Sequence, residues 1–81
     1  MNFAKIEVYM RPTCKDSKEA ISFLENEKIA HKVIDITTSE GYLLTKDMEL
    51  SVLPTILLKD EQDNVVDSVF CVEGLKRALG R

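Results

Sequence analysis

The hydrophobic period of this chain changes abruptly around one proline, and that change constrains the fold more than any other feature. Residues 3 to 10, FAKIEVYM, are rich in strand formers and place Ile6 and Val8 on one face, with Phe3, Glu7 and Tyr9 set differently by the alternation. Residues 15 to 27 follow a helical period instead. Ala20, Ile21, Phe23 and Leu24 form an apolar stripe, and Lys18, Glu19, Ser22, Glu25 and Asn26 fill the opposite face. Between them lies Arg11-Pro12-Thr13-Cys14, where Pro12 fixes the approach of the chain. Thr13-Cys14-Lys15-Asp16 matches a loosened capping-box pattern, so the helix is expected to start at or beside Cys14.

The remaining elements follow from the same signals. Residues 29 to 36, IAHKVIDI, read as a second strand. Thr37, Thr38 and Ser39 offer N-cap oxygens to a shorter helix through Met48, carried by Tyr42, Leu43, Leu44 and Met48 and weakened by Gly41. Residues 54 to 59 and 65 to 70 read as strands joined by a polar turn, Asp60 to Asn64, short enough for an antiparallel hairpin. Val72, Leu75, Ala78 and Leu79 share one face of a last helix. A strand, a helical crossover and a second strand make a right-handed parallel unit, to which the hairpin adds antiparallel strands. The expected architecture is α/β, a mixed four-stranded sheet with three helices in the order βαβαββα and helices on both faces. At 81 residues it would be a single domain spanning 1–81.

Composition closes off several functional classes. With 44% hydrophobic and 31% charged residues, the chain has the make-up of a compact folded domain. A net charge of −3 with dispersed basic residues gives no footprint for nucleic acid or an anionic membrane. The first residues show neither the basic nor the apolar region of an export signal, and no apolar run is long enough to span a bilayer. Two cysteines, Cys14 and Cys71, are too few for a disulfide framework, and the simplest setting is a reducing cytoplasm and a monomeric protein.

Cys14 is where chemistry is expected. In open α/β sheets, sites lie beyond the carboxyl ends of parallel strands, at the handover to a helix. A helix N-terminus presents unpaired amides and the positive end of its dipole, which favour thiolate over thiol. A thiol with a pKa of about 8.5 is about 3% ionised at pH 7, and one near 6 is about 90% ionised. Arg11, Lys15 and Lys18 add to this effect and Asp16 opposes it. Ser17, one turn beyond Cys14, can donate its hydroxyl to the sulfur but cannot resolve a mixed disulfide. The plainer alternative is a small buried hydrophobic cysteine without reactivity. His31, the only histidine, reads as an exposed strand residue with no metal-ligand spacing around it.

These residues resemble the thioredoxin fold, and most closely the glutaredoxins. The resemblance rests on the strand IEVYM with its Arg-Pro-Thr lead, Cys14-Lys15-Asp16-Ser17 in place of a C-x-x-C or C-x-x-S motif, Val52-Leu53-Pro54 before an apolar strand, and the final hairpin and helix. It covers essentially the whole chain. It implies a cis bond before Pro54, a proline packed beside Cys14, and a Leu53 backbone offered to an extended thiol substrate. A strand-initiating proline is the alternative for Pro54. The resemblance also places Arg11 where glutaredoxins often bind a glutathione carboxylate, a role that a guanidinium fork suits and that competes with a solvated surface arginine. Thr13 and Lys15 join the expected substrate-binding set.

The chain departs from the pattern at two places. Phe70 and Cys71 stand where glutaredoxins usually carry a Gly-Gly pair that, with a following acidic residue, holds the γ-glutamyl end of glutathione; Glu73 lies near that acidic position. Lys15-Asp16 differs from the Pro-Tyr and Gly-Phe pairs of dithiol and iron–sulfur members, which argues against cluster binding. Cys71 is either an unconventional resolving thiol or a packing residue under the last helix.

The expected function is a monothiol thiol–disulfide oxidoreductase in which Cys14, assisted by Ser17, forms a mixed disulfide with glutathione or a protein thiol. Arg11, Thr13, Lys15, Leu53, Pro54 and Cys71 would surround the substrate. No metal or resident cofactor is expected, and glutathione is a candidate co-substrate. The alternatives are an idle thioredoxin-fold interaction module, an arsenate-reductase-like enzyme, and a relative of the N-terminal half of glutathione transferases, whose acidic-Ser pair Asp67-Ser68 resembles.

Overall fold

The structure is a computed structural model that describes residues 3–48, 50 and 52–81. Its elements are β1 (Lys5–Met10), α1 (Lys15–Asn26), β2 (Lys32–Asp35), α2 (Ser39–Thr45), β3 (Thr55–Lys59), β4 (Val65–Val69) and α3 (Val72–Ala78). The strands form one sheet in the order β2-β1-β3-β4. β1 runs parallel to β2, with Val8 opposite Val33, and antiparallel to β3, with Val8 opposite Ile56. β4 pairs antiparallel with β3, and a register shift at Leu58/Lys59 separates the Leu58–Asp67 and Lys59–Val65 pairs. This is the mixed βαβαββα sheet expected from the periodicities. No helix among the described residues is long and apolar enough to cross a membrane.

The alternation on β1 decides which helices it meets. Ile6 and Val8 point to the face where Ile56 and Leu58 of β3, Ala20 and Leu24 of α1, and Leu75 of α3 close one core, all nearly or fully buried. The opposite side of β1 carries a polar network. The Tyr9 hydroxyl donates to Glu7 at 2.7 Å, and the Lys59 ammonium lies 3.0 Å from the same carboxylate. Burial pushes the Glu7 pKa up, but the Tyr9 and Lys59 hydrogen bonds outweigh it and the carboxyl ends below its usual range.

Two boundaries differ from the sequence expectation for identifiable local reasons. β2 begins at Lys32 rather than at residue 29. Residues 28 and 29 instead complete a helix C-terminal motif, in which Ile29 N–H donates to Leu24 O at 2.9 Å and Lys28 N–H to Glu25 O at 3.1 Å. Lys28 holds the left-handed position at φ 55, where glycine is usual. His31 is half-buried ahead of the strand rather than exposed within it, with Nδ1 2.8 Å from Ile29 O.

α2 stops at Thr45 rather than Met48. The Thr45 hydroxyl bonds back to Gly41 O at 2.8 Å, and the next amide bond, Met48 N–H to Thr45 O, tightens to a three-residue turn. Gly41 is the reason α2 can lie where it does. A Cβ there would sit 1.8 Å from Asp35 O at the end of β2, while its own N–H donates to the N-cap oxygen of Thr38 at 2.9 Å.

Two substitutions should therefore move stability in opposite directions. Lys28→Gly removes a left-handed conformation that costs a side-chain-bearing residue about 1–2 kcal/mol. Glycine's greater unfolded freedom takes back about 0.4–1 kcal/mol, so a net gain of about 0.5 kcal/mol is expected in urea denaturation. Gly41→Ala forces α2 off β2 and should lose about 1–3 kcal/mol. Leu24→Ala empties the centre of the core and should lower the urea midpoint by the equivalent of about 2–5 kcal/mol. A loss below about 1 kcal/mol would contradict the packing described for Leu24.

Candidate functional site

The site forms where β1 ends. A turn closes with Cys14 N–H donating to Arg11 O at 2.9 Å, and the helix then begins with Lys18 N–H donating to Cys14 O at 3.2 Å. Cys14 is the N-cap of α1, with extended backbone at φ −85 and ψ 116. The loosened capping box is not made. With Cys14 as the cap, Thr13 falls one residue too early and is exposed, and the third helical position belongs to Ser17 rather than Asp16.

An N-cap side chain faces the amides of the second and third helical residues. Here those residues are Asp16 and Ser17, and the side chain that faces them ends in sulfur. The protonated thiol donates to Leu53 O at 3.7 Å. The Ser17 hydroxyl is fully buried and has no hydrogen-bond partner in this arrangement. An orphaned buried hydroxyl is costly, and ionising the neighbouring sulfur supplies the acceptor it lacks. Accordingly the Cys14 pKa is lowered from the ordinary thiol value, first by the Ser17 side chain and then by the Ser17 amide. Partial burial opposes this, the Asp16 amide reinforces it, and the Asp16 carboxylate works weakly against it.

The second wall is the segment entering β3. The Leu53–Pro54 bond is cis, as the resemblance implied, and Pro54 is fully buried. Thr55, itself buried, donates through Oγ1 to Val52 O at 2.7 Å and so ties the two sides of the proline together. That role had no sequence signal beyond the threonine next to the proline. Cys14, Ser17, Leu53 and Pro54 are thus brought together. Arg11, Thr13 and Lys15 stand exposed at the rim, and neither Arg11 nor Lys15 enters an ion pair among the described residues.

The start of α3 shares a groove with α1. Val69 pairs with Ile56 at the end of β4, Phe70 follows half-exposed, and Cys71 caps α3. The half-buried Cys71 sulfur accepts from Gly74 N–H at 3.4 Å. Cysteine lies outside the usual N-cap set, so this role went unread in the sequence. The first residues of the two capped helices, Lys15 and Val72, line one open groove of about 480 Å³ together with Lys18, Glu19, Phe23 and Lys76. The Lys76 ammonium lies 5.4 Å from the centre of the Phe23 ring. His31 lines a separate hollow with Lys5 and Glu7, and no group of three metal-ligating side chains occurs among the described residues.

Comparison with known proteins agrees with this geometry. No curated protein sequence matches the chain. Among solved structures, a variant of the thioredoxin-like protein BC3987 is similar at 26% identity, over 94% of this chain and 95% of that one, with a TM-score of 0.65. Thioredoxin 1 from the thermophilic eubacterium Thermosipho africanus TCF52B shares the fold at 20% identity, over 96% of this chain and 92% of that one, with a TM-score of 0.67. The glutaredoxin family model matches residues 6–61, which carry β1, the Cys14 junction, the cis-proline segment and β3, and the chain belongs to the glutaredoxin family.

Proposed function

We propose that this protein is a thiol–disulfide oxidoreductase that works through Cys14 as its single redox thiol. The observation that carries the reading is the N-cap position of Cys14, with the Asp16 and Ser17 amides and the unpaired Ser17 hydroxyl available to a thiolate. Family membership and the thioredoxin-like fold support the reaction class.

In the first step the Cys14 thiolate attacks one sulfur of a substrate disulfide. The substrate S–S bond breaks, a Cys14 mixed disulfide forms, and the leaving thiolate takes a proton from solvent. Ser17 stands where a second cysteine would resolve this intermediate, so release needs an external thiolate. That thiolate attacks the mixed disulfide, expels Cys14 as thiolate and carries away the disulfide, so the two electrons come from external thiols. Glutathione or a protein thiol fills this role. Arg11, Thr13 and Lys15 border the substrate, and the Leu53 backbone lies against the reacting sulfur. A reducing cytoplasm and a monomeric state complete the reading, and both cysteines are free thiols in the structure.

The rate of Cys14 alkylation by iodoacetamide against pH tests the proposal. Because the thiol pKa is lowered, reactivity should be fully developed above its folded value and fall away only as pH drops through it, with a midpoint below about 8.5. Ser17→Ala removes the largest favourable contribution and should move the midpoint up, while Cys14→Ser should abolish mixed-disulfide formation. A wild-type midpoint at or above about 8.5, or one that Ser17→Ala leaves in place, would sink the assignment.

A further inference from the structure

The Cys14 sulfur lies between groups of opposite sense. On the α1 side the Ser17 hydroxyl and the Asp16 and Ser17 amides are donors, and they favour an anion. On the other side Leu53 O, 3.7 Å away, is an acceptor and bonds only the protonated thiol. A hydrogen bond to the neutral form holds the proton in place, and a carbonyl oxygen turned toward a thiolate repels it. How firmly Leu53 O is aimed therefore bears on how readily Cys14 ionises.

Thr55 is the residue that aims it. It pairs with Tyr9 at the end of the β1 and β3 ladder, and the two residues are 6% and 7% exposed. From that fixed place its Oγ1 donates back to Val52 O at 2.7 Å. Leu53 lies inside the span that this bond closes, and Pro54 within it has no N–H to offer. Leu53 O is thus steadied by a buried strand residue whose own hydroxyl is committed to Val52. Val52 is 51% exposed, so water replaces the hydroxyl when it is removed, and the span is released without leaving an orphaned acceptor.

Fixed charges do not supply this restraint. The charged side chains at this end are Arg11, Lys15, Asp16 and Lys18 around Cys14 and Glu73 in the first turn of α3, all exposed, and the described residues 50 and 52–55 carry none. Resting on the reading of Cys14 as the reactive thiol, we propose that Thr55 is a positioning residue whose hydroxyl holds the 52–55 span so that Leu53 O retains the Cys14 proton against the pull of Ser17. Ionisation breaks the S–H bond, passes the proton to water and leaves the electron pair on sulfur, so no oxidant or reductant takes part.

The test is the pH profile of iodoacetamide alkylation at Cys14, located by peptide mapping in the full chain. Thr55→Val keeps the branched shape and removes the hydroxyl. Its midpoint should fall below that of the wild type by about half a pH unit, which makes alkylation about threefold faster at a pH below both midpoints. Thr55→Ser restores the donor and should return the midpoint to the wild-type value. The sign separates positioning from damage. A variant that only loosened the site would lose the contacts of Ser17 and move the midpoint up toward that of an ordinary thiol, as Ser17→Ala should. If Thr55→Val fails to fold by circular dichroism, Thr55→Ala carries the same expectation. A midpoint that neither substitution lowers, or one that Thr55→Ser lowers as much as Thr55→Val, overturns the role of Thr55, while a low wild-type midpoint leaves the Cys14 assignment standing. A wild-type midpoint at or above about 8.5 overturns both.

Discussion

The start of α1 is fixed from three directions, and the placement of Cys14 and Ser17 follows from that. β1 brings Met10 to the end of its pairing with β2, the Arg11–Cys14 turn reverses the chain, and the cis-proline segment enters from β3 to present Leu53 O to the Cys14 sulfur. The core lies directly behind this junction. Ala20 and Leu24 bind α1 to Ile6, Val8, Ile56 and Leu58, so the cap is anchored by burial two turns away rather than by a side-chain hydrogen bond of its own. An N-cap oxygen would contribute about 1 kcal/mol to the helix. Cysteine gives that up, and tertiary packing sustains the helix instead.

Much of this was legible because the two periodicities are nearly undisturbed. Ile6, Val8, Ile56 and Leu58 alternate as sheet residues should, and the Ala20/Leu24 stripe has helical spacing; all six are buried in one cluster. What escaped the sequence was decided by contacts between distant segments or by residues in unusual roles. Gly41 reads as a weak point of a helix, yet the approach of α2 to Asp35 O leaves no room for a side chain. Lys28 sits in a left-handed cap that the sequence gives to glycine or asparagine in most helices, so the turn before β2 was read as strand. Cys71 was weighed as a resolving thiol or a packing residue, and its hydrogen bond to Gly74 N–H is a third role that residue type alone does not advertise.

The site itself divides along the same line. Cys14 and Ser17 could be placed from local spacing, because residues one turn apart share a helix face. Leu53 and Pro54 came from resemblance, since nothing local connects them to a cysteine about forty residues earlier. Thr55 was missed because its contribution is to hold Val52 O, a contact that exists only once the proline is cis. Arg11, Thr13 and Lys15 adjoin Cys14 in sequence and are exposed, so their side chains are turned to solvent rather than packed into the site.

Ser17 gives the site its chemical character. With a second cysteine there, the chain could expel a bound substrate unaided; under the proposed function, a serine there means that Cys14 would itself leave when an external thiol attacks. A lower pKa makes a thiol a better leaving group, while its nucleophilicity falls with a Brønsted coefficient of only about 0.4–0.5. At neutral pH the gain in thiolate fraction outweighs that loss until the pKa approaches the ambient pH, and below that point further lowering still speeds release at the expense of attack. In the proposed single-thiol cycle, the Ser17 hydroxyl, buried and unpaired beside the thiol, would favour both halves down to that point. The Asp16 carboxylate opposes this lowering only weakly.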